Sequence, residues 1–334
     1  MTIYDIAKKT NLSVATVSRV INNKKNVNEA TRQKVLKAIE EYNYLPNALA
    51  VGLSTNKQHA ISVMARNVAN VHTGKAVAYL ESKLRERGYS IYLYGTDCDQ
   101  ESKERYIRES ISKKTDAIIF VGSLFAEVPE NSKLELYASK TPIILINGQT
   151  NIENAYSVIC DEYEGVKNII KSYHKNNKTK ILYLYDVVTQ SGKLKLQGYK
   201  DGLKACKLPV NKDLIINCQR DLEGAYNALI EAIDKGLEFD SVLCSEDILA
   251  VGAVKALLDK GFKVPDDIVV TGMNNSIISD CCIPSITSLD NKIEQLCELA
   301  IQSLEKLLNK ESVPKVQIIK PELVIKKSYC PTVV

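Results

Sequence analysis

Apolar positions in the first forty residues recur at helical spacing. Ile3, Ile6 and Ala7 mark one face of a first helix. Its start is written as Thr2-x-x-Asp5: Thr2 caps exposed backbone N–H groups, and Asp5 sits where the helix dipole favours negative charge. Asn11-Leu12-Ser13 reads as a tight turn, because Asn tolerates a left-handed backbone. Ser13 then caps a second helix, Val14 to about Asn22, with Leu12, Val17 and Val20 inward and Ala7 small at the crossing. A third helix follows an Asn28 cap and runs to about Tyr42, with Ala30, Val35, Ala38 and Ile39 inward. This spacing is a helix-turn-helix. The outer face of its second helix carries Val14, Ala15, Thr16, Ser18, Arg19 and Asn22. Arg can bridge guanine O6 and N7, hydroxyls suit phosphates, and an exposed Val-Ala pair suits a thymine methyl better than water. Behind Pro46 comes a short apolar helix reaching Leu53, too short to be stable alone.

From Ala60 the rhythm changes. Short apolar strands alternate with helices: strands at 61–65, 90–94, 117–121 and 143–146, with helices at 73–87 and 100–112. After 157–160 the alternation restarts, with helices at 163–174, 194–206, 222–235 and 248–260 and strands at 181–185, 214–217, 241–245 and 268–272. Such alternation means parallel sheets covered on both faces, and two sets mean two subdomains with a ligand expected in the crevice between them. The predicted fold is an all-α helix-turn-helix headpiece followed by an α/β core of two doubly wound parallel-sheet subdomains.

Net charge sharpens this picture. Residues 1–57 hold nine Lys/Arg against four acids, while the remainder holds 35 against 36, so the basic excess belongs to the headpiece. At 45% hydrophobic and 25% charged, with no apolar run long enough to span a bilayer, the chain reads as a water-soluble globular protein. The start MTIYDIAKKT lacks an apolar leader core, so a cytoplasmic location and no membrane partner are expected. The nine cysteines form no CxxC and do not cluster with the three histidines, so they read as free thiols, with no metal or other cofactor. None of GxSxG, HExxH, GxxxxGK[ST] or GxGxxG occurs, and no nucleophile–base constellation accompanies the acids at 161, 162 and 164. No catalytic residue is assigned, and an α/β enzyme with a fused headpiece is set aside.

YDIA, SVATVSRVIN, the TR-x-KV run and NY-x-PNA-x-A-x-x-L stand in order in this chain. They resemble the LacI/GalR family of bacterial transcription regulators. The resemblance implies a periplasmic-binding-protein-like core, with a headpiece and hinge helix (46–54) in residues 1–57 and the core in 58–334. It divides that core, residues 58–334, into an N-subdomain of about 60–160 and 290–319 and a C-subdomain of about 161–289 and 320–334, crossing near Cys160, Asp290 and Lys320. It further implies a homodimer on a pseudo-palindromic operator, most often as a repressor. The expected DNA contacts are Tyr4, Ser13, Val14, Ala15, Thr16, Ser18, Arg19, Asn22, Asn28, Tyr44, Asn47, Ala50 and Leu53, with Leu53 the apolar wedge that kinks the minor groove. Val51-Gly52 stands where the family often has an Arg, and Gly52 costs roughly 1 kcal/mol of helix propensity relative to Ala.

In the core, SEDILAVG, LKLQGY and GMNN resemble the family's cleft motifs. The resemblance implies a small-molecule effector, a sugar or related metabolite, held by Asn67, His72, Asn147, Asp161, Lys195, Gln219, Asp247 and Asn274. Lys195 replaces the family's forked Arg and Asn274 its Asp, so the cleft is expected to be amide-rich and less charged than a sugar clamp. The headpiece resembles that of the catabolite control protein subgroup, which implies an alternative partner, a phosphorylated carrier protein acting as corepressor. A sugar-binding transport component is disfavoured by the helix-turn-helix.

Overall fold

The computed structural model describes residues 1–22, 26–44, 58–95, 100–126, 134–186 and 189–331. Pro46, Asn47, Ala50, Gly52 and Leu53, and with them the expected hinge helix, lie outside the described residues. Two compact units result: Met1–Ala60 with Lys114–Asp116, and Ile61–Lys113 with Ala117–Val334.

The first unit is built by local chemistry. Helix α1 (Ile3–Thr10) begins with a reciprocal capping box, in which Thr2 N donates to Asp5 Oδ2 at 2.8 Å and Thr2 Oγ1 accepts from Asp5 N at 3.4 Å. It ends at Asn11 in the left-handed region, φ 50°. Helix α2 (Val14–Ile21) is capped by Ser13, whose hydroxyl accepts from Thr16 N at 3.1 Å, and α3 (Glu29–Glu41) by Asn28, which accepts from Thr31 N at 3.0 Å. Ile6, Ala7, Val17, Val20, Val35, Ala38 and Tyr44 close one small core. Ala30 is exposed rather than inward, because the buried positions of α3 begin only at Val35.

In the second unit, strands β1 (Ala60–Ala65), β2 (Ser90–Gly95), β3 (Ala117–Val121), β4 (Ile143–Ile146), β5 (Ala155–Cys160) and β11 (Val316–Ile319) form one sheet, ordered β11-β5-β4-β3-β1-β2. Strands β6 (Ile181–Tyr185), β7 (Ile215–Asn217), β8 (Ser241–Cys244), β9 (Val269–Met273), β10 (Thr287–Asp290) and β12 (Glu322–Val324) form the other, ordered β12-β10-β9-β8-β6-β7. The pairings β1–β3, β3–β4, β4–β5 and β5–β11 are parallel, as are β7–β6, β6–β8, β8–β9 and β9–β10, while β12 runs antiparallel to β10. Continuous apolar runs are what such sheets require, because successive side chains enter cores on opposite faces. Ile61 and Val63 of β1 join Leu80, Leu84, Leu296 and Ile301, whereas Met64, between Val63 and Ala65 on the same strand, joins Phe120 and Leu145. Likewise Leu182 and Leu184 enter one core of the second sheet and Ile181 and Tyr183 the other.

The covering helices are α4 (Val71–Glu86), α5 (Gln100–Ser112), α6 (Leu134–Ala138), α7 (Glu162–Lys175), α8 (Gln190–Ala205), α9 (Leu222–Asp234), α10 (Asp247–Asp259), α11 (Ile278–Cys281) and α12 (Ile293–Leu308). Helix α8 starts four residues before the predicted Leu194, because the Thr189 hydroxyl accepts from Gly192 N at 3.2 Å and opens the helix there. The chain passes between the sheets three times: from β5 into α7, from β10 into α12, and from β11 into β12.

Candidate functional site: a DNA-facing headpiece and a charged cleft

In the headpiece, Ala15 and Arg19 are exposed on α2 and Tyr4 on α1, the last at 71%. Thr16 shares a 2.9 Å hydroxyl bond with Ser13, and Asn22 Nδ2 donates to Ser18 Oγ at 3.2 Å, so these polar groups are held in place along one helix. Asn28 is exposed while its amide oxygen is committed to the α3 cap. Val14 and Tyr44 are placed differently from the expectation of open DNA-facing side chains. Val14 is half-buried against the headpiece core, and Tyr44 is a buried member of it, because the small core recruits both apolar surfaces.

In the second unit a cleft of about 110 Å³ opens at the ends of strands from both sheets, lined among others by His72, Asn147, Lys195 and Asn274. Four of the eight expected effector positions therefore meet there. The other four do not, and each stands next to a residue that does. Asn67 is exposed, its side chain accepting from Ala69 N at 2.9 Å, while Arg66 lines the cleft. Asp161 turns back to cap α7 through Glu164 N at 3.1 Å, and Glu162 faces the cleft instead. Gln219 is exposed beside the lining Arg220. Asp247 is buried behind the site, accepting from Ser288 Oγ at 2.6 Å and from Ser276 N and Oγ at 2.7 and 2.8 Å, while Glu246 lines it.

The neighbours that enter bring charge, which corrects the expectation of an amide-rich, weakly charged cleft. Arg66, Lys195 and Arg220 face Glu162, Asp186 and Glu246. These groups form a chain. Ser191 donates to Glu162, and Asn291 Nδ2 reaches Glu162 Oε1 at 3.4 Å and Asn274 Oδ1 at 3.0 Å. Asn274 Nδ2 donates to Glu246 Oε2 at 2.7 Å, Arg220 pairs with Glu246, and Arg220 Nε lies 3.0 Å from Asp186 Oδ2. Ser245 donates to the other Asp186 oxygen at 2.8 Å. Asn274 holds a positive φ of 91°, a conformation that Asn adopts more readily than most residues. Asn147 is similarly left-handed at φ 56° and accepts from Cys160 N at 3.0 Å, which locks the end of β4 to the end of β5.

Burial sets the protonation states. Desolvation disfavours the Lys195 cation, but Glu162, Glu246 and Asp186 outweigh it and raise its pKa, so it stays charged. Burial raises the carboxyl of Glu246 against the opposing pull of Arg220 and Lys195. His72 is pushed down to about 4, chiefly by desolvation and partly opposed by Glu162, so its neutral ring meets Asn291 Nδ2 at 3.3 Å. Asn291 is 2% exposed, and its Oδ1 has no hydrogen-bond partner. Nothing in the sequence singled out Asn291, which follows directly on β10 where the chain passes toward α12. Among the described residues no cluster of three or more His, Cys, Asp or Glu is placed to hold a metal ion, and no helix is long and apolar enough to cross a membrane.

A helix-turn-helix unit joined to a two-sheet α/β body with a polar cleft is the architecture of a DNA-binding regulator with a ligand-binding core. Residues 2–47 match the family described as bacterial regulatory proteins, lacI family, and residues 170–329 match the periplasmic binding protein-like domain. The chain is 38% identical over 330 residues to an HTH-type transcriptional regulator of Lachnoclostridium phytofermentans, covering 98% of this chain and 99% of that one. It is 32% identical to catabolite control protein A of Streptococcus mutans, covering 96% and 95% of the two chains. Its fold matches the crystal structure of the lac repressor dimer bound to operator and the anti-inducer ONPF, with a TM-score of 0.87, 22% identity and 98% of each chain covered. The chain belongs to the LacI family. It is a DNA-binding transcription regulator, and its relatives are regulators rather than enzymes.

Proposed function

We propose that this regulator acts as a repressor: a homodimer binds a pseudo-palindromic operator, and an uncharged, hydroxyl-rich molecule in the cleft controls it. One observation carries the ligand class. The cleft matches three cations with three acids and still leaves the buried Asn291 carbonyl oxygen without a donor. A buried acceptor left unsatisfied costs about 1–3 kcal/mol, which a ligand hydroxyl recovers. Matched charge favours a neutral polyol, a sugar or related metabolite, over a phosphate. Closing the cleft around such a ligand changes the angle between the sheets and, through the joint to the headpiece, operator affinity.

Similarity to catabolite control protein A supports a second reading, in which a phosphorylated carrier protein is the corepressor. Two measurements separate these. A thermal-shift panel of sugars, sugar phosphates, purines and amino acids should raise the melting temperature with a neutral sugar, since a ligand of the native state stabilises it. If the whole panel is silent and a phosphorylated carrier alone tightens DNA binding, the second reading replaces the first. Selection of duplexes from a random pool should return an inverted repeat; a single unrepeated half-site would remove the dimeric operator.

A further inference from the structure

A second cavity, of about 620 Å³, shares no lining residue with the cleft. Its size falls in the range of about 300–1,000 Å³ typical of small-molecule sites. Apolar side chains line its floor: Ile169 of α7, Leu289 of β10, and Pro321 and Leu323 at β12. Lysines stand at its rim, and the two acids that also line it are already engaged. Asp161 caps α7, and Glu164 pairs with Lys167 at 2.6 Å. Lys171 donates over 3.4 Å to the amide oxygen of Asn168 and acts on Glu164 through space without a salt bridge, and Lys320 has no ion-pair partner among the described residues. The rim is therefore cationic over an apolar floor.

The position of the cavity is as telling as its chemistry. Asp161 lies on the passage from β5 to α7, Leu289 at the end of β10 just before the passage to α12, and Lys320-Pro321 on the passage from β11 to β12. Two of the three connections between the sheets thus line the cavity, and the strand that leads into the third packs beside them. They are packed tightly there: a Cβ added to Gly165 of α7 would stand 2.7 Å from both Leu289 and Pro321. A change of angle between the sheets has to move these connections, so whatever fills the cavity favours one angle over another.

We propose that this cavity is a second ligand site, which takes a small amphipathic anion (an apolar body with one carboxylate, sulfonate or phosphate head) and acts on the hinge. Its effect on DNA binding rests on the regulatory reading above; its occupancy does not. A duplex selection that fails would sink that reading and leave the binding result below standing.

The test uses the full chain and 8-anilinonaphthalene-1-sulfonate, an amphipathic anion that fluoresces when bound. One saturable site per chain is expected, weakened about tenfold in K171Q/K320Q, on the scale of two partly exposed ion pairs. The uncharged N-phenyl-1-naphthylamine should not respond to these two surface substitutions, which leave the apolar floor intact. Octanoate and octyl phosphate should displace the probe, and octanol should not; the relative potency of the first two identifies the head. The sequence has no tryptophan, so Asn168→Trp places a unique indole at the cavity mouth. Either energy transfer from it to bound probe or loss of probe binding places the probe here. Wild-type binding without transfer, an unchanged affinity in K171Q/K320Q, or displacement by octanol as strong as by octanoate would overturn the proposal.

Discussion

Replacing Lys195 by Met tests whether the cleft is held by charge or merely contains it. Lys195 and Glu162 are each only 8% exposed at the side chain, with Nζ 3.7 Å from Oε1, and Nζ also donates to Ser245 O at 3.3 Å. At that separation an effective dielectric of about 20 gives an attraction of about 4 kcal/mol. Removing one partner of a buried pair costs about 3–5 kcal/mol, because the survivor is left uncompensated. Here Glu162 keeps Ser191 and Asn291, and the pair has one long contact, so the lower end applies: about 3 kcal/mol at pH 7. For a body of this size that corresponds to a melting-temperature loss of roughly 6–12 °C. Urea denaturation should show a lower midpoint at constant slope. Adding Glu162→Gln removes the orphaned charge, so the double variant should be more stable than K195M by about 1–2 kcal/mol. If K195M lies within about 0.5 kcal/mol of wild type, or the two losses simply add, the pair does not hold the cleft and the reasoning fails.

Four further outcomes are expected. His72 has a folded pKa near 4 against 6.5 unfolded, so the unfolded state binds more protons as pH falls below about 6.5 and stability declines. The loss is on the order of 2 kcal/mol at pH 5, and His72→Gln, which keeps an acceptor for Asn291, should unfold with that much less dependence on pH between 7 and 5. Asn11→Val forces a β-branched residue to φ 50° and should cost the headpiece about 1–2 kcal/mol, whereas Asn11→Gly should be nearly neutral by circular-dichroism melting. Gly198→Ala drives a methyl into the carbonyl of Tyr163 where α7 and α8 cross, and should lower stability by about 1–3 kcal/mol in urea. Leu53→Ala should lose much of the affinity for the selected operator while leaving the dimer intact on a sizing column; an unshifted titration would rule out the wedge.

The headpiece was legible because its signals are local. Thr2 with Asp5, Asn11, Ser13 and Asn28 each act on backbone within three residues, and the observed caps and turn are made by these same side chains. Strand and helix alternation exposed both sheets for a similar reason, since a parallel sheet buried on two faces writes itself as an unbroken apolar run. The cleft was legible only to within one residue. Asn67, Asp161, Gln219 and Asp247 mark the right junctions, yet Arg66, Glu162, Arg220 and Glu246 are the side chains that enter. A motif fixes where a strand gives way to a helix but not which of two adjacent side chains leaves toward the crevice. At the start of α7 the cap residue turns back onto the helix and its successor faces the cleft; at the start of α10 the cap residue faces the cleft and its successor is buried behind it. Asn291 left no trace in the sequence, because its role depends on the second sheet handing the chain back to α12 beside the first.

That repeated passage between sheets also dictates when the protein can fold during synthesis. The first sheet lacks its outer strand β11 until residue 319 has been made, and α12, whose Leu296 and Ile301 complete its core, comes only shortly before. The second sheet waits for β12, which ends at Val324. Domains ordinarily fold in turn as they leave the ribosome. In this core neither half is complete until nearly all of it has been synthesised, so both halves close almost together. The headpiece, with its own small core made from the first residues, is free to fold long before the body that governs it.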